Sequence, residues 1–359
     1  MNPKVTVMVA NYNTSQYLAQ CFDSLRNQSY INFEVQVVDD GSTDNSIDII
    51  QKYVNKDKRF HLMKFEQHRG VAYIRNAALP ECRGEYIAIL DADDLALPER
   101  LEKQVEFLDN EPGIVLLGSY YGVVDSKGQI KRKKKKVPVN DIEIRWRVTQ
   151  GNCFIHSTIM FRKQQALDCG GYDASFYSGE DFDLYSKIIS LGKAAALPEV
   201  LVFWRTHKKS MTKHTNQNEL DRYYFMAVKN AVKLHFKTDI ELGTAEALYF
   251  NTKAPAKNPA SLKNALKILL NNYSSLYNSA DVINSETNKK LLARCLLQHL
   301  YKIYKRNCTM IWWHEVETAW FEAMNELFVK YQYSWLTDWN QMLIKIKLFP
   351  LLWKASKFH

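Results

Sequence analysis

Three carboxylates stand together in Asp91-Ala92-Asp93-Asp94, directly behind the apolar run Tyr86-Ile87-Ala88-Ile89-Leu90. Carboxylates packed this closely raise one another's pKa unless a cation sits among them. At the carboxyl end of a buried parallel strand, where open α/β sheets hold their ligands, such a cluster suits Mg2+ or Mn2+ bound through oxygen and bridging to phosphates. The competing reading is a solvated Asp-rich turn ahead of a helix that starts near Pro98. A second acidic pair, Glu180-Asp181, opens a later amphipathic helix. There the helix dipole favours an ionised Asp181, while Glu180 beside it pushes the pKa the other way. A carboxylate so placed suits a general base or a helix cap.

These groups need elements to position them. Val5–Ala10 reads as a first strand ending in Asn11-Tyr12-Asn13-Thr14, followed by a helix with Leu18, Phe22 and Leu25 on one face. Glu34–Val38 is a second strand closed by Asp39-Asp40-Gly41-Ser42, with Thr43 and Asp44 able to cap a helix through Tyr53. Phe60–Phe65 is a third strand, a helix runs from about Gly70 to Cys82, and Tyr86–Leu90 is the fourth strand. Alternating strands and helices with short connections predict a mostly parallel sheet with right-handed crossovers. Its carboxyl edge then collects Tyr12, Asp40, Arg75 and the Asp91–Asp94 cluster in one crevice.

Beyond residue 110 the alternation breaks. Gly113–Gly118 and Tyr120–Asp125 read as two strands, Asp141–Val148 as a helix, Ser157–Arg162 as a strand and Asp181–Leu191 as a helix. The basic run Lys131–Lys136 reads as a solvated connection, because no aromatic residues interleave it as nucleic-acid binding would require. The polar stretch Thr206–Asn218 marks a boundary between a domain at 1–213 and a helical one at 219–359. Helices are expected at about 219–236, 260–278, 286–306, 311–331 and 338–348. From Glu219 onward 19 Lys/Arg oppose 12 Asp/Glu, and six of the eight tryptophans follow residue 300. The basic segment Gln341–His359 therefore suits an interfacial amphipathic anchor, or equally a packing element or oligomer contact.

Composition excludes several classes. No apolar run approaches the roughly 20 residues of a membrane span, and Met1-Asn2-Pro3-Lys4 leads straight into a strand without a signal-peptide pattern. The expected location is cytoplasmic, with the inner face of the cytoplasmic membrane as the variant that the basic tail suggests. Six scattered cysteines lack metal spacing and are expected as free thiols. Neither G-x-G-x-x-G nor G-x-x-x-x-G-K-[ST] occurs, which argues against dinucleotide and P-loop binding.

Asn11-Tyr12-Asn13, Asp39-Asp40-Gly41-Ser42-Thr43-Asp44, Asp91-Ala92-Asp93-Asp94 and Glu180-Asp181-Phe182-Asp183-Leu184, in this order, strongly resemble the family 2 glycosyltransferases, inverting enzymes of GT-A fold. His68-Arg69-Gly70 through Arg75-Asn76-Ala77 resembles that family's Asn-Arg-Gly…Ala-Arg-Asn segment, with His68 in place of Asn. Asn152…His156-Ser157-Thr158 and Trp204-Arg205-Thr206-His207 fit as well, so the resemblance covers about residues 3–210.

It implies a GT-A sheet, mostly parallel and flanked by helices, followed by an all-α C-terminal region. It also implies Asp181 as catalytic base, and Ala10, Tyr12, Asp40, Arg75, Asp91 and Ala92 around a nucleotide-sugar. Asp93 and His207 would hold Mn2+ or Mg2+, with Asp94, His156, Ser157, Glu180 and Arg205 as further acceptor or donor contacts. Tyr12 would flank the base and Asp40 accept its N–H, which favours uridine.

The Gln-x-x-Arg-Trp motif of processive members is missing: the sole Arg-Trp pair, Arg145-Trp146, precedes Asp181 and has Ile142 at the Gln position. The expected activity is transfer of one sugar, from a UDP-sugar by preference, to a hydroxyl of a glycan or lipid-linked acceptor in surface polysaccharide synthesis. Alternatives are a sugar-nucleotide nucleotidyltransferase, or a non-catalytic module that binds nucleotide-sugar or polyanion. Nucleic acid is not an expected partner; a homo-oligomer is a candidate assembly.

Overall fold

The computed structural model describes residues 2–208, 210, 217–249, 255–307 and 310. The helices expected at 311–331 and 338–348, and the basic tail with its membrane reading, lie outside the described residues. The chain divides into two compact units, Met1–Ala245 and Glu246–His359.

The first unit is built on a nine-stranded sheet. Its first half follows the sequence: β1 (Val5–Asn11), α1 (Ser15–Arg26), β2 (Phe33–Asp40), α2 (Ser46–Lys56), β3 (Phe60–Phe65), α3 (Val71–Ala78) and β4 (Tyr86–Ile89). β1 and β2 are buried along nearly their whole length: Val5, Val7, Val9, Val35 and Val37 are fully buried on one face, and the polar Thr6, Glu34 and Gln36 are buried on the other. On α1 the buried residues Leu18, Cys21, Phe22 and Leu25 recur at three- and four-residue steps and meet this sheet.

The spatial order is β3-β2-β1-β4, all parallel. The chain thus winds outward from β1 to β3, then returns to the far side of β1. That reversal opens a crevice beyond the carboxyl ends of β1 and β4.

The second half, where the strand–helix alternation breaks in the sequence, is mixed in direction. β5 (Leu95–Ala96), α4 (Arg100–Asn110), β6 (Ile114–Asp125), β7 (Ile130–Lys135), α5 (Asp141–Val148), a short 3-10 turn at His156–Thr158, β8 (Met160–Arg162), α6 (Lys163–Asp168), α7 (Glu180–Ile189) and β9 (Lys193–Thr206) follow. Short β8 runs antiparallel to both β4 and β6, so β6 regains the direction of β4, and β9 pairs parallel with β6. β9 therefore delivers Arg205 and His207 to the same sheet edge as β4. Where two strands were expected over 113–125 there is one. The Lys131–Lys136 connection is instead mostly strand, β7, antiparallel to β6. Pro198, which has no N–H to donate, falls where the β6–β9 register slips between Leu197 and Val200.

The helix α8 (Gln217–Phe236) also belongs to the first unit, and its Asn230 donates from Nδ2 to Asp183 Oδ1 of α7 at 3.1 Å. α9 (Leu242–Leu248) follows it. Within the second unit, α10 (Pro259–Tyr277) starts with Asn258 accepting from Ser261 N at 2.8 Å and Pro259 in the first turn. It buries Leu262, Leu266, Leu269 and Tyr273. α11 (Ala280–Ile283) leads to α12 (Glu286–Asn307), whose Leu292, Leu296, Leu300 and Ile303 are buried. Among the described residues no helix is long and apolar enough to cross a membrane. Cys21, Cys82, Cys153, Cys169 and Cys295 are free thiols.

Candidate active site

Three loops at the carboxyl edge are tied to one another before any ligand is considered. Asn11 Nδ2 donates to Asp39 Oδ1 at 2.6 Å and Ser42 Oγ at 3.0 Å, and Ser42 N donates to Asp39 Oδ2 at 3.0 Å. Asp39 is thus spent on the loop. Asp44 accepts the first amides of both α1 and α2, from Ser15 at 3.1 Å and Ser46 at 3.0 Å. Asn13 holds a left-handed φ of 53° and accepts from Thr43 N at 2.8 Å, locking the first loop to the second.

Asp40 is buried, and accepts from Arg69 N at 2.7 Å and Gly70 N at 2.9 Å, with His68 Nδ1 2.8 Å from its Oδ2. The His68 ring stacks on Tyr12 with centroids 4.0 Å apart, and Tyr12 remains exposed. Ala10 is the partly buried penultimate residue of β1, and Ala92 is buried within the acidic turn.

The acidic turn divides its labour. β5 pairs antiparallel with β9, Leu95 opposite Phe203, so the residues just before β5 meet those just after Phe203. Asp93 Oδ2 lies 2.7 Å from His207 Nε2, and the Asp93 carbonyl accepts from Arg205 Nε at 2.6 Å. Asp94 is fully buried; its carboxyl accepts from Arg205 N at 2.7 Å and from the Ser157 hydroxyl. Burial and the charges of Asp93 and Asp91 hold Asp94 well above the usual carboxylate range.

Arg205 is buried too, spanning Gln20 Oε1 at 2.7 Å and the Asp125 carbonyl at 3.2 Å while lying over the Tyr17 ring. Ser157 also accepts from Asp91 N at 3.0 Å. His156 places its two nitrogens on the hydroxyls of Tyr185 (2.5 Å) and Tyr172 (3.1 Å), and burial drives its pKa well down. Asp94, His156, Ser157 and Arg205, expected as acceptor or donor contacts, are buried, and these polar atoms are hydrogen-bonded within the protein.

Arg75 joins the two acidic centres. Its guanidinium donates to Asp91 Oδ1 at 2.7 Å and to Glu180 Oε1 at 3.0 Å. Burial, then the Asp181 charge, push Glu180 up to about 7 against the pull of Arg75. Asp181 is only half-buried; it accepts from Phe182 N at 2.7 Å and from Asn152 Nδ2 at 2.8 Å. Burial raises its pKa against these hydrogen bonds and Arg75. A carboxylate with raised proton affinity that solvent can reach is what a general base requires.

Motif reading had not given three groups these roles: Asn152 as the anchor of Asp181, His68 on Tyr12, and buried Arg100. Arg100 donates to the Ile89 and Ile159 carbonyls at 2.8 and 3.2 Å behind the acidic turn. The sequence signal for the first two was their place in the recognised segments; Arg100 carried none.

The described residues contain no group of three or more His, Cys, Asp or Glu able to hold an ion by themselves. Asp93 and His207 nevertheless face each other as one hard oxygen and one imidazole nitrogen. An oxygen and an imidazole nitrogen together would suit Mn2+ better than Mg2+.

The fold and this crevice define a GT-A type glycosyltransferase. The sequence profile of Glycosyl transferase family 2 matches residues 6–171. Glycosyltransferase MJ1057 of Methanocaldococcus jannaschii is 31% identical over 242 residues, 66% of this chain and 83% of that protein. The amylovoran biosynthesis glycosyltransferase AmsE of Erwinia amylovora is 30% identical, over 59% of this chain and 80% of its own. The chain belongs to glycosyl transferase family 2 and is a glycosyltransferase. Among solved structures, Staphylococcus aureus TarS with UDP-GlcNAc shares the fold at TM-score 0.57 and 18% identity, covering 85% of this chain and 91% of that one. The Pyrobaculum calidifontis mannosyltransferase PcManGT, bound to GDP-Man and Mn2+, does so at TM-score 0.52 and 20% identity, covering 91% and 87%.

Proposed function

We propose that this glycosyltransferase moves one sugar from a nucleotide-diphosphate donor, a UDP-sugar by preference, to a hydroxyl of a glycan or lipid-linked glycan, with inversion at the anomeric carbon. Cytoplasmic synthesis of a surface polysaccharide is the proposed setting, in keeping with the name of the relative AmsE. The observation that carries the reading is Asp181: half-buried, fixed by Asn152 and linked through Glu180 and Arg75 to Asp91 of the acidic turn.

In this reading Tyr12 offers its exposed ring to the base, and Asp40 accepts the base N–H beside its bonds to the Arg69 and Gly70 amides. Asp91 and Arg75 border the ribose and diphosphate between Ala10 and Ala92. Asp181 takes the proton of the acceptor hydroxyl as that oxygen attacks the anomeric carbon and the diphosphate departs from the opposite face. Asp93 and His207 would hold a divalent ion, which when bound offsets negative charge on the departing diphosphate.

Turnover of a panel of UDP- and GDP-sugars in Mn2+ tests the donor, and the anomer formed tests inversion. Asp181→Asn should lower transfer by about 10²-fold or more with UDP affinity retained; near-normal turnover would sink the base assignment.

A further inference from the structure

The strand β7 carries Ile130-Lys131-Arg132-Lys133-Lys134-Lys135, with Lys136 just after it, and nearly all of it is exposed. An isolated solvated loop could scatter these charges; pairing with β6 fixes them in a line. Lys131 pairs with Asp125 at 2.9 Å, but none of Arg132, Lys133, Lys134, Lys135 and Lys136 has a carboxylate partner among the described residues. Lys134 and Lys135 lie over the Tyr120 and Tyr121 rings at 4.8 and 6.0 Å, which holds their stems down along the sheet.

The line starts at the site. Ile130 stands opposite Val124, and Val124 stands opposite Arg205 on the other side of β6. Two strand spacings put the head of β7 roughly 10 Å from the Arg205 backbone, and at about 3.3 Å per residue β7 then runs roughly 17 Å away from it.

We propose that β7 docks a linear polyanion, and that the acceptor is a chain carrying phosphate or carboxylate groups whose end reaches the crevice alongside this strand. The acceptor part of the proposal rests on the transferase reading above. A lipid surface fits less well, because Ile130 is the only apolar residue of the strand and interfacial binding needs a buried apolar face. Nucleic acid fits less well because exposed aromatic platforms do not alternate with the cations.

The test is binding of end-labelled linear inorganic polyphosphate to the full chain across a salt series, for the parent, Lys133→Gln/Lys135→Gln and Lys133→Arg/Lys135→Arg. The parent should bind with log K falling linearly against log salt. The Gln pair should lower that slope by about 1.4–1.8, as roughly 0.7–0.9 per lost contact implies, and weaken binding about tenfold at low salt; the Arg pair should match the parent. Equal slopes in parent and Gln pair, or no polyphosphate binding by the parent, would overturn the proposal. So would tighter binding to a single-stranded oligonucleotide, or binding to phosphatidylglycerol vesicles alone. UDP affinity is read on the same proteins: unchanged values show an intact donor site, whereas failure of the donor reading appears as absent UDP binding with the polyphosphate slope intact.

Discussion

Glu180 shows how one residue can set the working range of another. Burial and the adjacent Asp181 charge keep it protonated up to about 7, far above the roughly 4.3 of an unfolded glutamate. The folded chain therefore holds more protons than the unfolded chain between those values. The stability Glu180 contributes is complete below the unfolded pKa and is lost as pH rises through about 7. Glu180→Gln should flatten the fall in Tm between about pH 5 and about pH 8, at about 1.4 kcal/mol per unit of pKa difference removed. Because Glu180 is still protonated while Asp181 ionises, Glu180→Gln should leave the acid limb of the kcat profile in place. A limb that moves to lower pH would show that Glu180 carries charge in that range.

At the scale of elements, the crevice depends on loops that hold one another. Gly41 has φ of 71°, and a Cβ there would sit 2.8 Å from the Gln67 carbonyl carbon and 3.0 Å from His68 N. Neither backbone atom can swing aside as a side-chain tip could. Gly41→Ala should cost at least about 1–2 kcal/mol from the left-handed conformation alone. Because Asp40 and His68 flank the clash, donor KM should rise more than kcat falls; a stability loss with unchanged KM would uncouple the loop from the donor. The two-residue β5 has an equally large effect. Its pairing with β9 brings Asp93 onto His207, so the contact between them is a product of strand register.

For the whole molecule, the first unit gathers the site from residues spread between Ala10 and His207, and ligand binding should be felt as stability of that unit. UDP with Mn2+ at 100 times Kd should stabilise it by about 2.7 kcal/mol. With UDP held constant, Asp93→Asn combined with His207→Ala should weaken Mn2+ binding, measured by calorimetry, at least tenfold, as loss of both protein ligands demands. Chelation should remove the stabilisation in the parent and have little effect in the double variant. Retained Mn2+ affinity in that variant would place the ion elsewhere.

The sequence by itself determined the β-α-β half of the sheet, the crevice edge and the identity of the acidic groups there. Period-2 and period-3.6 patterns and polar turns are local properties, and the strands they forecast at Val5, Glu34, Phe60 and Tyr86 are where the sheet has them. Tertiary structure alone decided the partners of each carboxylate. Asp39 and Asp40, or Asp93 and Asp94, are adjacent and alike in sequence, yet residues mostly far along the chain give each a different set: Asn11 and Ser42 for Asp39, the Arg69 and Gly70 amides for Asp40, His207 for Asp93, and Ser157 with Arg205 N for Asp94. β5 and β7 were equally illegible: two residues carry no period, and a run of lysines carries no apolar alternation, so only pairing with β9 and β6 makes them strands. Local patterning writes the elements, but register between distant strands selects the partners each carboxylate meets.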